Sequence, residues 1–346
     1  MNDVKEMPTS TAEVSKPESP ASAGRRPQRS FVIFAERYAL LILTLLLVVF
    51  FSVIPATHGL FATVANLNVV LGSQTVYALI AIAALFPLLC GYFDFSVGTV
   101  SAVSTTLAAG LMSKNDVPLG LAIVISLVVG VGIGFVNGLF VVRFKLNPFV
   151  STLGMATLLG GGIQWYTGGA TIFSGIAPAL TDFGAATLFG IPVVVYAVAV
   201  VALVAWYVTR QTPFGRSLYA IGSNPTSATL VGLRVTRNVW ATFMISGGVA
   251  AFSGIILLAR TGSATADSGI SLLFPALAAV FLGTTAINPG FFNVWGTIIG
   301  ALFVAVAVSG LTLSGAQSWV SPVFNGAALL AAVGLSSYLR KRRLAG

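Results

Sequence analysis

Residues 67–112 read LNVVLGSQTVYALIAIAALFPLLCGYFDFSVGTVSAVSTTLAAGLM, and this stretch decides the fold class. It contains two apolar runs, and each is close to the length of about 20 residues that a helix needs to cross a bilayer. Pro87, Gly91 and Asp94 separate the runs, because proline and glycine interrupt helices and a charge is costly in lipid. The stretch therefore predicts two membrane helices whose boundaries around residues 87–98 stay open.

The composition of the whole chain agrees with this prediction. Of the 346 residues, 56% are hydrophobic and 8% are charged, whereas soluble domains carry roughly a quarter charged residues. The mean hydropathy is +0.95. This composition excludes a soluble enzyme, a nucleic-acid-binding protein and a secreted disulfide scaffold. Cys90 is the only cysteine, so no internal disulfide can form.

Apolar runs continue at a steady spacing to the end of the chain. They predict an all-α integral membrane protein with about ten transmembrane helices in one bundle. The runs cover residues 38–55, 67–87, 95–112, 119–142, 149–167, 191–209, 239–259, 272–287, 294–314 and 319–339.

The first 30 residues differ from the rest of the chain. They are rich in Pro, Ser, Thr, Glu and Lys and poor in large apolar groups, which predicts a disordered cytoplasmic tail at 1–30 and a transmembrane domain at 31–346. With ten spans and a cytoplasmic N-terminus, sixteen of the 18 Lys and Arg residues fall on the cytoplasmic side. Only Lys114 and Arg260 fall outside. The positive-inside rule therefore predicts that both termini are cytoplasmic.

Glycine is abundant, and two groups of glycines repeat at helical spacing. Gly130, Gly134 and Gly138 form one group, and Gly296 and Gly300 form the other. Both predict small-residue faces for close helix packing, either within the chain or between subunits. The segment at 95–100 also resembles the segment at 293–298, which suggests an internal pseudo-repeat of the kind found in transporters. Apolar sequences match easily by chance, so a true repeat and a chance match both stay open.

Several kinds of chemistry lack the residues that they need. His58 is the only histidine, so neither a histidine zinc site nor a Ser-His-Asp triad can be built, and no catalytic or metal-binding residue is predicted. No Gly-Lys pair exists, so the chain has no phosphate-binding loop and needs no cofactor of that kind. The spans also lack the paired ionisable residues of proton- and sodium-driven pumps.

The segment at 210–238 is the most informative polar loop. Asn224 suits a helix N-cap, Pro225 suits the first helical turn, and Gly232 suits a helix stop, so a short helix is predicted between them. With Arg216 and Arg234 beside it, this loop fits a docking surface for another protein. An amphipathic connector lying on the lipid headgroups fits equally well.

Several motifs resemble one family. Phe214-Gly215-Arg216, Tyr219-Ala220-Ile221-Gly222, Asn224-Pro225 and Gly232-Leu233 resemble the cytoplasmic loop of membrane subunits of bacterial ABC importers for ribose and related simple sugars. Asp94-Phe95-Ser96-Val97-Gly98 resembles a second motif of that family. The resemblance covers roughly residues 40 to 340.

The resemblance implies partners and a coupling loop. It implies a permease that pairs with a second copy as a homodimer in the bacterial inner (plasma) membrane. A separate ABC ATPase subunit and a periplasmic or extracellular solute-binding protein would serve it. It implies that the loop at 210–238 couples to the ATPase through Gly215, Arg216, Tyr219, Ala220, Gly222, Asn224, Pro225, Ala228 and Gly232. Membrane lipid is the remaining partner, and nucleic acid is excluded.

Polar residues at the predicted spans are the candidates for a solute pathway, because a polar solute must exchange its water hydrogen bonds for others of similar strength. Each also fits an ordinary role in helix packing or in an interfacial aromatic belt. The candidates are Gln74, Tyr77, Asp94, Asn137, Gln164, Trp165 and Tyr166. For Asp94, a cap on the third helix is favoured over contact with the solute.

The resemblance implies import of a monosaccharide or a similar small polar solute, with no covalent reaction. Two rivals are an autonomous secondary transporter or channel and a membrane-embedded enzyme. The loop motifs disfavour the first rival, and the absence of clustered His, Asp or Cys disfavours the second. The chain also departs from the family at Thr226 and Thr229, which indicates a divergent branch.

Overall fold

The computed structural model describes residues 28–265 and 268–344, and within them the chain is a bundle of α-helices with one short β-hairpin. Helix α4 continues into a π-helical turn at Leu139–Arg143. The elements in chain order are α1 Gln28–Val53, α2 Val64–Leu89, α3 Val97–Asn115, α4 Leu119–Gly138, α5 Pro148–Thr167, α6 Pro178–Ala185, β1 Thr187–Leu188, β2 Ile191–Pro192, α7 Val193–Gln211, α8 Pro213–Ser223, α9 Pro225–Leu230, α10 Val235–Thr261, α11 Ser268–Gly283, α12 Val294–Leu313 and α13 Val320–Leu344.

Each of the predicted apolar runs overlaps one long helix, but some boundaries differ. Helix α1 begins at Gln28, inside the predicted tail, and residues 1–27 lie outside the described residues. The loop predicted at 210–238 is shorter at both ends, because α7 extends to Gln211 and α10 begins at Val235. Helix α11 ends at Gly283, because the chain turns there toward α12.

Five helices in the described part of the chain are long and apolar enough to cross a membrane. They are α2, α4 with its π-helical turn, α7, α10 and α12. Shorter apolar helical stretches lie at Arg37–Val53, Gly269–Gly283 and Val320–Leu335. The chain is thus a mostly helical membrane protein, while the count of ten crossings stays a prediction.

Helices α2 and α10 form the centre of the bundle. Between Leu79 and Leu85 every side chain of α2 is at most 1% exposed, because this helix is apolar on all sides and neighbours cover all of them. Helix α10 packs against α2, α3 and α4. Ser253 in α10 donates to the hydroxyl of Ser101 in α3 at 2.8 Å, so a polar contact also joins these two helices.

The predicted glycine face on α4 packs inside this chain. A Cβ added at Gly130 would overlap Ala251, and one added at Gly134 would overlap the carbonyl oxygen of Phe243. Glycine lets the α4 and α10 backbones approach this closely. The structure thereby confirms the intrachain interpretation of this face over a subunit interface.

The chain between α5 and α7 covers one end of α10. Helix α6 lies in this segment, and a Cβ added at Gly184 would overlap the carbonyl oxygen of Ala259. Ile172 pairs with Ala264 in an antiparallel bridge. The hairpin of β1 and β2 turns at Phe189 and Gly190, both with positive φ.

Candidate functional site

The connection between α7 and α10 contains two capped helices. Thr212 caps α8, because its Oγ1 accepts from the amide of Gly215 at 3.2 Å. Asn224 caps α9, because its Oδ1 accepts from the amide of Ser227 at 3.0 Å. A proline follows each cap at the first helical position, where its missing N–H costs nothing. The sequence prediction found the second helix and its cap but missed α8.

Helix α8 is attached firmly to the bundle. Leu218 and Ile221 are fully buried. A Cβ added at Gly215 would overlap the carbonyl oxygens at the end of α7, and one added at Gly222 would overlap the carbonyl oxygen of Leu89 at the end of α2. These two glycines therefore allow α8 to lie directly on two membrane helices.

Polar contacts hold α8 to two further elements. The hydroxyl of Tyr219 donates to the carbonyl oxygen of Phe292 at 3.0 Å, in the connection between α11 and α12. Burial raises the pKa of Tyr219, although the positive charge of Arg210 opposes this rise, so the phenol keeps the proton that it donates. Asn238 in α10 donates to the hydroxyl of Ser217 at 2.9 Å.

Helix α9 instead presents a surface away from the bundle. Ala228 is buried, whereas Leu230 and Val231 are 83% and 76% exposed. Arg216 is also exposed, and its Nη1 donates to the carbonyl oxygen of Gln211 at 3.5 Å. Gly232 has a φ of +82° and ends the segment. Ala220, Asn224 and Pro225 complete the predicted coupling residues, and all three are exposed.

Asp94 lies at the centre of a buried hydrogen-bond network. It is 3% exposed. Its Oδ1 accepts from the amide of Ser96 at 3.0 Å and from the Ser96 hydroxyl at 2.6 Å. Its Oδ2 accepts from the hydroxyl of Ser246 in α10 at 3.0 Å. Asp94 thus accepts the backbone N–H of Ser96, the residue just before α3, whereas the expected cap would accept an N–H from the first turn of that helix.

Further hydrogen bonds extend this network to α4 and α5. Asn137 Nδ2 in α4 donates to the hydroxyl of Ser96 at 2.8 Å. Thr152 Oγ1 in α5 accepts from the amide of Phe95 at 3.0 Å. The turn between α2 and α3 is therefore bound to α4, α5 and α10 at once.

Cys90 begins this same turn and lies beneath α8. It is 3% exposed, and a Cβ added at Gly222 would be 3.4 Å from its Cα. Burial raises the pKa of the Cys90 thiol to about 12. Burial and the raised pKa both lower the reactivity of this thiol.

The residues predicted for a solute pathway are dispersed. Gln74 lines a cavity of about 340 Å³ between α2, α7 and α12. Tyr77 packs against the central core, and Asn137 belongs to the Asp94 network. Tyr166 lines a second cavity, of about 380 Å³, between α3, α4 and α5. A single chain does not bring these side chains to one place.

Gln164 and Trp165 lie on an exposed part of α5. Trp165 is 86% exposed, and Gln164 is also exposed. Beside them, Tyr166 contacts Lys114, whose Nζ lies 4.4 Å from the ring centroid and donates to the Tyr166 carbonyl oxygen at 3.1 Å.

Sequence reasoning missed several residues that the structure brings to Asp94. Ser96, Thr152 and Ser246 are short hydroxyl side chains, and many others like them are scattered through the spans. The motif around Asp94 contained Ser96, but no local signal identified the partners in α5 and α10. Within residues 28–265 and 268–344, no group of three His, Cys, Asp or Glu side chains could hold a metal ion.

Comparison with known proteins agrees with these features. Residues 66–333 match the family described as branched-chain amino acid transport system / permease component. The ribose import permease protein RbsC of Haemophilus influenzae is 33% identical over 301 residues, covering 86% of this chain and 93% of that protein. The D-allose transport system permease protein AlsC of Escherichia coli is 30% identical over 321 residues, covering 93% and 98%. The autoinducer 2 import system permease protein LsrD of Photorhabdus laumondii is 33% identical over 276 residues, covering 78% and 83%. No solved structure matches this one.

Proposed function

The chain belongs to the branched-chain amino acid transport system / permease component family, and from this premise we propose that it is the membrane subunit of an ATP-driven ABC importer. The relatives confirm the resemblance to sugar-import permeases that the loop motifs indicated. A permease moves its solute without covalent chemistry. Hydrolysis of ATP then belongs to a separate subunit.

The solute is a monosaccharide or a similar small polar molecule that enters the cytoplasm. The similar proteins are named for import of ribose, D-allose and autoinducer 2, which supports this class of solute.

The observation that carries the proposal is the unit formed by α8 and α9. Its α8 half is buried against α2, α7 and α10, while its α9 half exposes Leu230 and Val231. Exposed apolar residues on a short capped helix suit a protein partner. The ATPase subunit is that partner, and α9 is the part that it contacts.

Movement of α9 would reach the membrane helices through α8. Gly222 lies against the end of α2, and Tyr219 binds the connection between α11 and α12. The end of α2 leads into the turn that Asp94 binds to α10 and that Thr152 binds to α5. A displacement caused by ATP binding would therefore move several helices together rather than one alone.

The proposed topology has ten crossings with both termini in the cytoplasm of a bacterial inner membrane. The charge distribution supports it, because sixteen of the 18 Lys and Arg residues then lie inside. The contact between Leu89 and Gly222 agrees, since it requires the end of α2 and the coupling unit to share one side.

A second permease copy would complete the pathway. Helix α5 turns a face of small and polar residues away from this chain, and Gly154, Thr157, Gly161 and Gln164 are all exposed on it. Such a face is a poor match for lipid but suits another helix or a polar pathway. We place the homodimer interface and its solute pathway here.

On the opposite side, a solute-binding protein would dock on the segment between α5 and α7. Phe173 and Phe189 are 76% and 92% exposed there. Aromatic residues are enriched in protein interfaces, which supports this placement.

The direct test is affinity purification of the tagged permease from its native membranes in mild detergent, followed by mass spectrometry. We expect an ATPase with a phosphate-binding loop to remain bound. A variant that lacks residues 224–232 should insert into the membrane but lose that partner. If the intact chain purifies alone and moves solute in liposomes without ATP, the proposal is wrong and an autonomous transporter replaces it.

A further inference from the structure

A groove of about 730 Å³ opens beside the first turns of α10. One wall is α10 itself, and the others come from Phe135 in α4 and from the segment after α9. The lining residues are Phe135, Thr229, Leu233, Arg234, Val235, Thr236, Arg237, Trp240, Ala241 and Met244. No residue of the proposed solute pathway lines it.

The groove is basic at one end and apolar at the other. Arg234 and Arg237 are exposed at the start of α10, and neither guanidinium has a hydrogen-bond or ion-pair partner within the described part of the chain. Met244 lies seven residues beyond Arg237, which is about 10 Å along a helix. Charge and hydrophobicity are therefore separated along the direction in which α10 enters the membrane.

The charge at the basic end has no counterion in the neighbouring sequence. Residues 183–265 contain no Asp or Glu, and the first turn of α10 has no acidic residue. The free amides of a helix N-terminus add partial positive charge to the two guanidinium groups. An anion is the ligand that this end would bind.

The middle of the groove is aromatic. The indole Nε1 of Trp240 donates to the carbonyl oxygen of Phe135 at 2.9 Å, and the two rings lie 4.9 Å apart. This hydrogen bond fixes the indole at the boundary between the basic and apolar parts. Tryptophan is typically found at this level of a membrane protein.

We propose that this groove is a binding site for an anionic phospholipid of the cytoplasmic leaflet, an inference that rests on the proposed topology. Arg234 and Arg237 bind the phosphate of the headgroup, while Phe135, Trp240 and Met244 contact an acyl chain. Basic pockets between membrane helices on the cytoplasmic side bind the head groups of anionic lipids.

The site also touches the coupling unit. Thr229 belongs to α9, and Leu233 follows it, so a bound lipid would contact the segment that precedes α10. Lipid bound in the groove therefore stabilises the position of α9 relative to α10.

The test measures lipid binding to the isolated permease in neutral detergent, so its outcome does not depend on transport or on the ATPase. Phosphatidylglycerol and phosphatidylethanolamine are titrated separately while thermal unfolding is followed, and native mass spectrometry counts bound lipid. We expect phosphatidylglycerol to raise the unfolding temperature and phosphatidylethanolamine to have little effect.

Variants locate the binding site. Each arginine near the surface of an anionic leaflet contributes about a fivefold change in affinity, so Arg234→Gln with Arg237→Gln should weaken phosphatidylglycerol binding by roughly 30-fold. Arg143→Gln is the matched control, since Arg143 is exposed near the same end of α4 but does not line the groove. Ala241→Trp keeps both arginines and should weaken binding by filling the apolar part.

Three results would overturn the proposal. The first is equal phosphatidylglycerol affinity in the wild type and the double variant. The second is equal stabilisation by phosphatidylethanolamine. The third is full protection by inorganic phosphate alone, which would show an anion site with no role for the acyl chain.

Discussion

The contact between Gly222 and the end of α2 leads to a sharp prediction for Gly222→Ala. The new Cβ would overlap the carbonyl oxygen of Leu89 and lie 3.1 Å from its carbonyl carbon and 3.4 Å from the Cα of Cys90. Non-bonded carbons prefer about 3.5–4.0 Å, so α8 must withdraw by on the order of 1 Å. Overpacking of this kind costs about 1–3 kcal/mol.

Transport and ATP hydrolysis should respond differently to this withdrawal. Helix α9 keeps its exposed residues, so the ATPase should still bind, but motion of α8 would no longer pass fully to α2. If the whole overpacking cost opposes the α8–α2 contact, about 1–3 kcal/mol weakens that contact about 5- to 150-fold. We expect solute uptake per ATP hydrolysed to fall by up to that factor. The assay is uptake and ATPase activity of the reconstituted complex in liposomes.

Gly120→Ala is the matched control for this experiment. Gly120 is in the first turn of α4, and an added Cβ there meets nothing within 4 Å. Because alanine is the better helix former by about 1 kcal/mol, this variant should be at least as stable as the wild type. Unchanged uptake and unchanged thermal unfolding in Gly222→Ala would refute direct transmission from α8 to α2.

Three other substitutions test separate parts of the proposal. Asp94→Ala leaves buried donors without an acceptor, at a cost of about 1–3 kcal/mol each, and should therefore lower the thermal unfolding temperature. Asp94→Asn should be intermediate, because its amide keeps one acceptor oxygen. Equal unfolding curves for these proteins and the wild type would exclude a structural role for the network. The double variant Leu230→Asp with Val231→Asp should abolish co-purification of the ATPase. The unfolding temperature should not change, since both side chains are exposed. If the ATPase still co-purifies, α9 is excluded as its contact surface. Thr157→Cys, made with Cys90→Ala, should form a disulfide-linked dimer in oxidised membranes, and a chain that stays monomeric on denaturing gels would place the subunit interface elsewhere.

Sequence reasoning succeeded where the signal was local. Asn224 and Pro225 form a cap and first turn that depend on adjacent residues alone, and α9 begins where they predict. Thr212 and Pro213 carry the same signal for α8, which was therefore detectable although it was missed. The approximate positions of the long apolar helices also follow from composition along the chain.

The sequence could not predict in the same way which side of each helix packs against which neighbour. A helix that is apolar on all sides has no polar face to show which side meets its neighbours. The sequence therefore groups Gln74, Asn137 and Tyr166 only as polar residues at the spans, whereas the folded chain places them in three separate environments. The partners of Asp94 come from distant helices, so only tertiary structure could reveal them.

The buried position of Cys90 makes the unmodified chain its own conformational reporter. Thiol reagents react with the thiolate, and a pKa of about 12 against an ordinary 9.0 lowers the thiolate fraction on the order of a thousandfold at neutral pH. Because Cys90 is the only cysteine, labelling reports on this one position, and it should be faster in molecules in which the contacts around the end of α2 have loosened. The labelling rate, followed through successive nucleotide states, would therefore report changes at this contact without a single engineered residue.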